Sequence, residues 1–267
     1  MSNILMAHAG LMDDAVYTAS SEATGFEIER AADIQPSKTW RSTGKTAEYI
    51  VINLGSVTVF DFVGLFRTNI VNDATSTIRI RTADTEANLT AAPTYDSTAT
   101  RSIPSSAQSD YDYTNVLFQI PADKTNQWVR IDLVATANTD AYIEVGRVYV
   151  SKAFVPDNNI SYGWSMGIED ATTATQALGG ASYPNPMPKI RKLDYSLDFS
   201  DEDAMYDYAF AIDRAIGASK DIFVQRDIDN VGRYLDYSLY GLQQALQPVV
   251  NTNYAIFSKR YTVRELL

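Results

Sequence analysis

The chain has 267 residues, with 22 Lys and Arg against 33 Asp and Glu, a single histidine and no cysteine. Its length carries about two domains, and 45% hydrophobic residues supply a core, which excludes a disordered chain. The missing cysteines exclude disulfides, thiolate catalysis and thiolate zinc sites; a lone histidine excludes H-E-x-x-H metal chemistry, and a net charge of −11 repels nucleic-acid phosphates and anionic lipid.

The start, Met1 to Gly10, has no basic segment followed by an apolar run, so no secretory signal is expected. No stretch approaches the roughly 20 apolar residues of a membrane helix, and no membrane insertion is expected. Residues 1–155 then read as short strands. Glu48 to Gly55 is an apolar-rich run closed by glycine, which predicts a strand and a turn. Val57 to Phe66 is a second run of β-branched and aromatic residues. Ser76 to Arg81 alternates, with Ile78 and Ile80 opposed to Arg79 and Arg81. Val116 to Ile120 ends at Pro121, and Trp128 to Leu133 alternates again, with Trp128, Arg130 and Asp132 opposed to Val129, Ile131 and Leu133. Tyr142 to Val150 keeps the period of two. Such strands with Ser/Thr-rich turns predict a mainly β protein that begins with a β-sandwich or jelly roll. Ala83 to Tyr113 reads as long loops around a weak strand.

Residues 156–188 change character: Pro156, Gly179, Gly180, Pro184, Pro186 and Pro188 lie among small polar residues, which predicts an extended arm. Trp164 and Met166 within it predict that part of the arm docks. Residues 189–267 read as a smaller α+β unit. Leu193, Tyr195, Leu197 and Phe199 alternate with polar residues as a strand. Ser200 with Asp203 resembles a helix-capping box, and Met205, Ala209, Ile212 and Ile216 mark one helix face that Gly217 ends. Strands are predicted at Ile222 to Gln225, Gly232 to Leu242 and about Asn253 to Leu266.

No motif carries catalysis, and no enzyme activity or cofactor is expected. His8 lacks a G-x-S-x-G partner. Asp227 to Gly232 fails as a calcium loop, because its fifth and twelfth positions are Val231 and Ser238, and reads as a turn; no metal site is expected. No carboxylate pair stands out for glycoside hydrolysis. Tyr111 and Tyr113, in Ser-Asp-Tyr-Asp-Tyr, are candidate saccharide-stacking residues, and Trp164 is a candidate interface residue.

The order of segments carries a resemblance. Ala31 to Ser42, with Asp33, Pro36, Trp40, Arg41 and Ser42, is followed by Tyr49 to Gly55, Val63 to Asn69, Trp128 to Leu133 and Ile143 to Val150. Over roughly residues 3–153 this resembles discoidin-like, galactose-binding-like jelly rolls. The resemblance implies saccharide contact, with Asn69 joining Tyr111 and Tyr113 as candidates. The continuation runs through Pro156 to Trp164, Gly179-Gly180, Leu197-Asp198-Phe199, the acidic helix and Tyr240-Gly241 to Val263-Arg264-Glu265. It resembles tail-tip or baseplate proteins of tailed bacteriophages, of the distal-tail type. In distal tail proteins the ring domain comes first; here the order is reversed. The resemblance implies a structural virion protein, made in the bacterial host cytoplasm. It would form a homo-oligomeric ring and meet other tail proteins such as tube and hub, with host-surface saccharide as a further contact. Tyr162, Trp164 and Tyr183 are its implied interface residues. The alternative reading is a carbohydrate-binding adhesin.

Overall fold

The computed structural model describes residues 3–71, 73–98, 100–101 and 113–267. Strands β1 (Leu5–His8), β2 (Val16–Ala19), β3 (Trp40–Arg41), β4 (Glu48–Thr68) and β5 (Ser76–Ala83) precede a short helix, α1 (Asn88–Ala91). Then come β6 (Tyr95–Asp96), β7 (Thr100–Arg101), β8 (Thr114–Ala135) and β9 (Glu144–Ser151). The second half holds β10 (Ser165–Asp170), β11 (Thr173–Gln176), β12 (Ser182–Asn185) and β13 (Lys189–Ser200). A π-helical turn (Ala204–Ala209) runs into α2 (Phe210–Ile216), and β14 (Asp221–Gln225), β15 (Ser238–Gln243), β16 (Val250–Asn253) and β17 (Ile256–Glu265) complete the chain. The protein is mainly β, as its patterning predicts.

The first sheet runs β3-β9-β4-β8-β5-β6, with β2 also on β4 and β7 also on β5. All its pairings are antiparallel. Strands β4 and β8 pass through both layers of a sandwich. The two runs expected at Glu48–Gly55 and Val57–Phe66 are one strand, and so are Val116–Ile120 and Trp128–Leu133. The register slips between Asn53 and Thr58, where Gly55 has φ +78. The expected turn is therefore a bulge that bends the strand without ending it. Ile50, Ile52, Ile80, Val129 and Ile131 are buried between the layers, as alternation predicts.

The second sheet runs β1-β14-β15-β17-β13-β10, with β16 also on β17. Its first strand comes from the other end of the chain: Leu5 to His8 pair with Gln225 to Ile222. Residues 4–8 thus belong to the unit expected at 189–267, although the sequence reading placed them in 1–155. The two units also share a core. Phe66 lies 4.9 Å from Phe223 and 5.0 Å from Tyr240, and Phe62 lies 6.1 Å from Phe223, centroid to centroid. Each such ring contributes about 1.5–3 kcal/mol by leaving water. Residues 60–66 of β4 are buried on both faces for this reason, so this run shows no alternation. Gly241 is needed at the seam between β15 and β17, where a Cβ would stand 2.0 Å from the Arg264 carbonyl oxygen.

Met205, Ala209, Ile212 and Ile216 are buried, so the expected helix face is right. The cap differs: Asp201 Oδ1, not Ser200, accepts from the Ala204 N–H at 2.7 Å. Lys259 Nζ, fully buried, donates to the Ala209 carbonyl at 3.1 Å and pairs with Asp213, so its cation sits where the π turn ends. The strand expected at Gly232 to Leu242 begins only at Ser238; Tyr234 and Tyr237 lie in the preceding turns. Asp227 Oδ1 accepts from the Asp229 N–H at 3.2 Å, which makes this segment a turn.

Candidate functional site

The arm expected at 156–188 is partly a strand and partly a hairpin. Strand β10 pairs with β13 from Ser165↔Asp194 to Asp170↔Lys189 and ends the sheet order, so its outer edge is open among the described residues. Beyond it, β11 and β12 pair, among the described residues, only with each other, from Thr173↔Asn185 to Gln176↔Ser182. Every residue from 167 to 189 is exposed. Residues 171–188 contain no Asp, Glu, Lys, Arg or His. Charge is what ordinarily solvates so exposed a segment and protects an open edge. The stretch 171–188 instead displays Leu178, Tyr183 and Met187, while β10 itself carries Glu169 and Asp170 beside exposed Ile168.

The expected interface residues fall at different depths. Tyr162 is fully exposed, and Tyr183 stands on β12 at 64% exposure. Trp164 is half-buried at the root of the arm, with the Arg226 guanidinium 4.2 Å from its ring. Trp164 and Met166 pack on the core beneath the helix, which docks the root and leaves the hairpin projecting.

A second exposed apolar surface lies around the helix. Phe199 should face inward with Leu193, Tyr195 and Leu197. The register slips between Leu197 and Ser200, Phe199 takes φ +61, and its ring turns out to 70% exposure. Tyr206 and Phe210, also exposed, meet edge-on at 6.0 Å, and Tyr206 reaches Phe257 at 5.9 Å. Phe257 is the β17 partner of Ser200, and Phe199 falls in the bulge that precedes this pair. Exposed Asp201, Glu202, Asp203 and Asp207 border it.

Of the expected saccharide residues, Asn69 and Tyr113 lie among the described residues and each bonds to neighbouring segments. Asn69 Oδ1 accepts from the Glu144 N–H at 2.8 Å, and its Nδ2 donates to Asp140 Oδ2 at 3.0 Å, so its amide ties two loops together. Tyr113 donates to Glu265 Oε1 at 3.0 Å and accepts from Arg191 at 3.2 Å, joining the sandwich to the second sheet. Tyr111 lies outside the described residues. His8 Nδ1 accepts from the Gly10 N–H at 3.1 Å, and burial pulls its pKa below the ordinary histidine value. Among the described residues no cluster of three His, Asp or Glu could hold a metal ion, and no helix is long and apolar enough to cross a membrane.

A different surface of the sandwich has the composition of a small-ligand site. The outward side chains of β4 and β8 put the Arg130 guanidinium 3.7 Å from the Tyr49 ring centroid. Asp132 holds Arg130 through Nε at 2.9 Å, and Arg81 closes on the same carboxylate at 2.6 Å. With Thr18, Val51, Glu86 and Leu89, Tyr49 and Arg130 line an open hollow. Alternation already places Arg130 and Asp132 outward; the approach of Leu89 from α1 has no such signal.

No family model and no curated protein matches the chain. Solved structures similar to about half of it include carbohydrate-binding modules, a lectin domain and, over about a quarter of their own length, GH29 fucosidase chains. Chitosan-binding module 1 of a Paenibacillus sp. IK-5 chitosanase/glucanase is 23% identical, over 52% of this chain and 96% of that one, with a TM-score of 0.38. The lectin domain of lectinolysin, solved with Lewis B antigen, is 15% identical over 54% and 96%, with a TM-score of 0.37. The family 32 carbohydrate-binding module of C. perfringens NanJ, solved with galactose, is 10% identical over 56% and 99%, with a TM-score of 0.40.

Proposed function

We propose that the chain is a non-enzymatic structural protein that builds a larger assembly through its 165–188 arm, as a tail-tip component of a tailed bacteriophage. The observation that carries the assembly is the hairpin itself: exposed and uncharged in a chain of net charge −11, with Leu178, Tyr183 and Met187 open to solvent. A segment of this kind is stabilised by burial against protein. The tail-tip placement rests on the order of segments along the sequence. Immunogold labelling of phage particles from a strain encoding the chain tests it. Label at the tail tip is expected; particles without label, beside soluble antigen in the same lysate, would refute it.

The second reading is a saccharide-binding module, favoured by the Tyr49–Arg130 hollow. An apolar floor with converging hydroxyl, carboxylate and guanidinium groups suits a small polar ligand such as a sugar. The two readings are compatible, since the hollow lies on the sandwich and the arm on the other sheet.

A further inference from the structure

We infer that the second sheet carries a binding site for a single carboxylate borne on an apolar body, with Arg226 taking the carboxylate and Trp164 the apolar face. The site lies apart from the Tyr49–Arg130 hollow and from the exposed hairpin.

The place is built by the segment that leads into β10, which crosses from β1 to β13. Asn3 Nδ2 donates to the Pro156 carbonyl at 2.8 Å, and the Ile4 N–H to Asn159 Oδ1 at 3.1 Å, which fixes the segment beside β1. The Ser161 N–H donates to the Ser196 carbonyl at 3.0 Å, which fixes it beside β13. Arg226 follows directly on β14, and its backbone N–H donates to the Tyr237 carbonyl at 3.0 Å. Its guanidinium lies 3.5 Å from the Tyr237 ring centroid and 4.2 Å from that of Trp164. Asn159, Ile160, Ser161, Tyr162, Trp164 and Arg226 line an open hollow there.

Charge selects the ligand. Arg41, Arg81, Arg147 and Arg191 each close on a carboxylate. Among the described residues the Arg226 guanidinium has aromatic partners and no hydrogen-bond acceptor or carboxylate. Rings hold a guanidinium in place without neutralising it or using its N–H donors. A planar fork with its donors unused recognises a carboxylate through paired hydrogen bonds. Arg226 is the one cation among the described residues lining the hollow, in a chain of net charge −11, so a single negative charge is matched and a polyanion is repelled. Ile160, half-buried Trp164 and fully exposed Tyr162 complete the wall, and they suit an apolar body beside the carboxylate. A free aromatic acid has this chemistry, and so does a peptide glutamate flanked by apolar residues.

Isothermal titration of the full chain uses 3-phenylpropionate, its neutral amide, and the blocked tripeptide acetyl-Phe-Glu-Phe-amide as probes. The indole N–H resonance of Trp164, assigned through W164F, reports the place. 3-Phenylpropionate or the tripeptide is expected to bind and to shift that resonance, and the amide to bind about tenfold or more weaker than the acid. R226Q, with its fold verified by circular dichroism, is expected to weaken the acid by about tenfold or more, and R226K by less, since lysine keeps the charge and loses the fork. Tighter binding of the tripeptide assigns the carboxylate to a partner protein; tighter binding of 3-phenylpropionate assigns it to a small acid. Absence of binding by both at about 10 mM overturns the inference. Equal binding of acid and amide overturns it too, as does equal binding of the acid by R226Q and the wild type. Where R226Q fails to fold, the comparison of acid with amide on the wild type decides.

Discussion

The Arg147 guanidinium on β9 and the Asp221 carboxylate on β14 form a buried ion pair between the sandwich and the second sheet, with Nε donating to Oδ2 at 2.8 Å. Burial opposes the arginine charge and Asp221 outweighs it, so the Arg147 pKa is raised above its ordinary value. The Tyr240 hydroxyl stands 2.8 Å from the same carboxylate and also reaches the Ile34 carbonyl. Losing one partner leaves a buried charge without its counterpart. D221A is expected to cost about 3–5 kcal/mol, and R147M/D221L much less than D221A alone. Urea unfolding of the variants measures this; equal losses would show that the pair does not couple the units.

Phe199 bears the same relation to stability in reverse. Its φ of +61 suits glycine better than phenylalanine. F199G is expected to raise the stability of the chain by about 1 kcal/mol by relieving that strain. Chemical unfolding checks this; an unchanged or lower midpoint would contradict it.

His8 sets a pH dependence. Burial lowers its pKa first of all, Asp221 raises it and Lys220 lowers it, with the net direction downward. Below pH 6.5 the unfolded chain therefore binds a proton that the folded chain resists, and stability falls as pH falls. The urea midpoint is expected to drop from about pH 7.5 to about pH 5.5, above the range where ordinary carboxylates titrate. In H8N, which keeps an acceptor for the Gly10 N–H, the drop should disappear. An unchanged drop would assign the effect elsewhere.

A glycan array on the full chain tests the Tyr49–Arg130 hollow. Y49A or R130A is expected to abolish any specific signal, and Y113F to leave it intact, because the Tyr113 hydroxyl serves Glu265 and Arg191. Loss of binding in Y113F alone would move the site to the Tyr113 region.

Much of the fold was legible in the sequence because side-chain period reports burial directly. Ile78, Ile80, Val129 and Ile131 face inward opposite Arg79, Arg81, Arg130 and Asp132, and the Met205–Ile216 stripe is the buried helix face. Period fails where both faces are covered, as at Phe60 to Phe66, and where a bulge inverts it, as at Phe199. Pairing between distant segments is also invisible to local patterning, which is why Leu5 to His8 were read with the sandwich and not with β14. The arm was legible from its prolines and glycines. Its neutrality acquires meaning only with the exposure of every residue from 167 to 189. What Asn69 and Tyr113 bond to is equally invisible to local patterning: each holds distant segments together.

Assembly through the arm is tested most directly by sedimentation velocity over a concentration series, on the intact chain and on the chain lacking residues 171–188. The intact chain is expected to associate increasingly with concentration, and the shortened chain to remain monomeric with an unchanged unfolding midpoint. An intact chain that stays monomeric at every concentration, or a shortened chain that associates equally well, would contradict it.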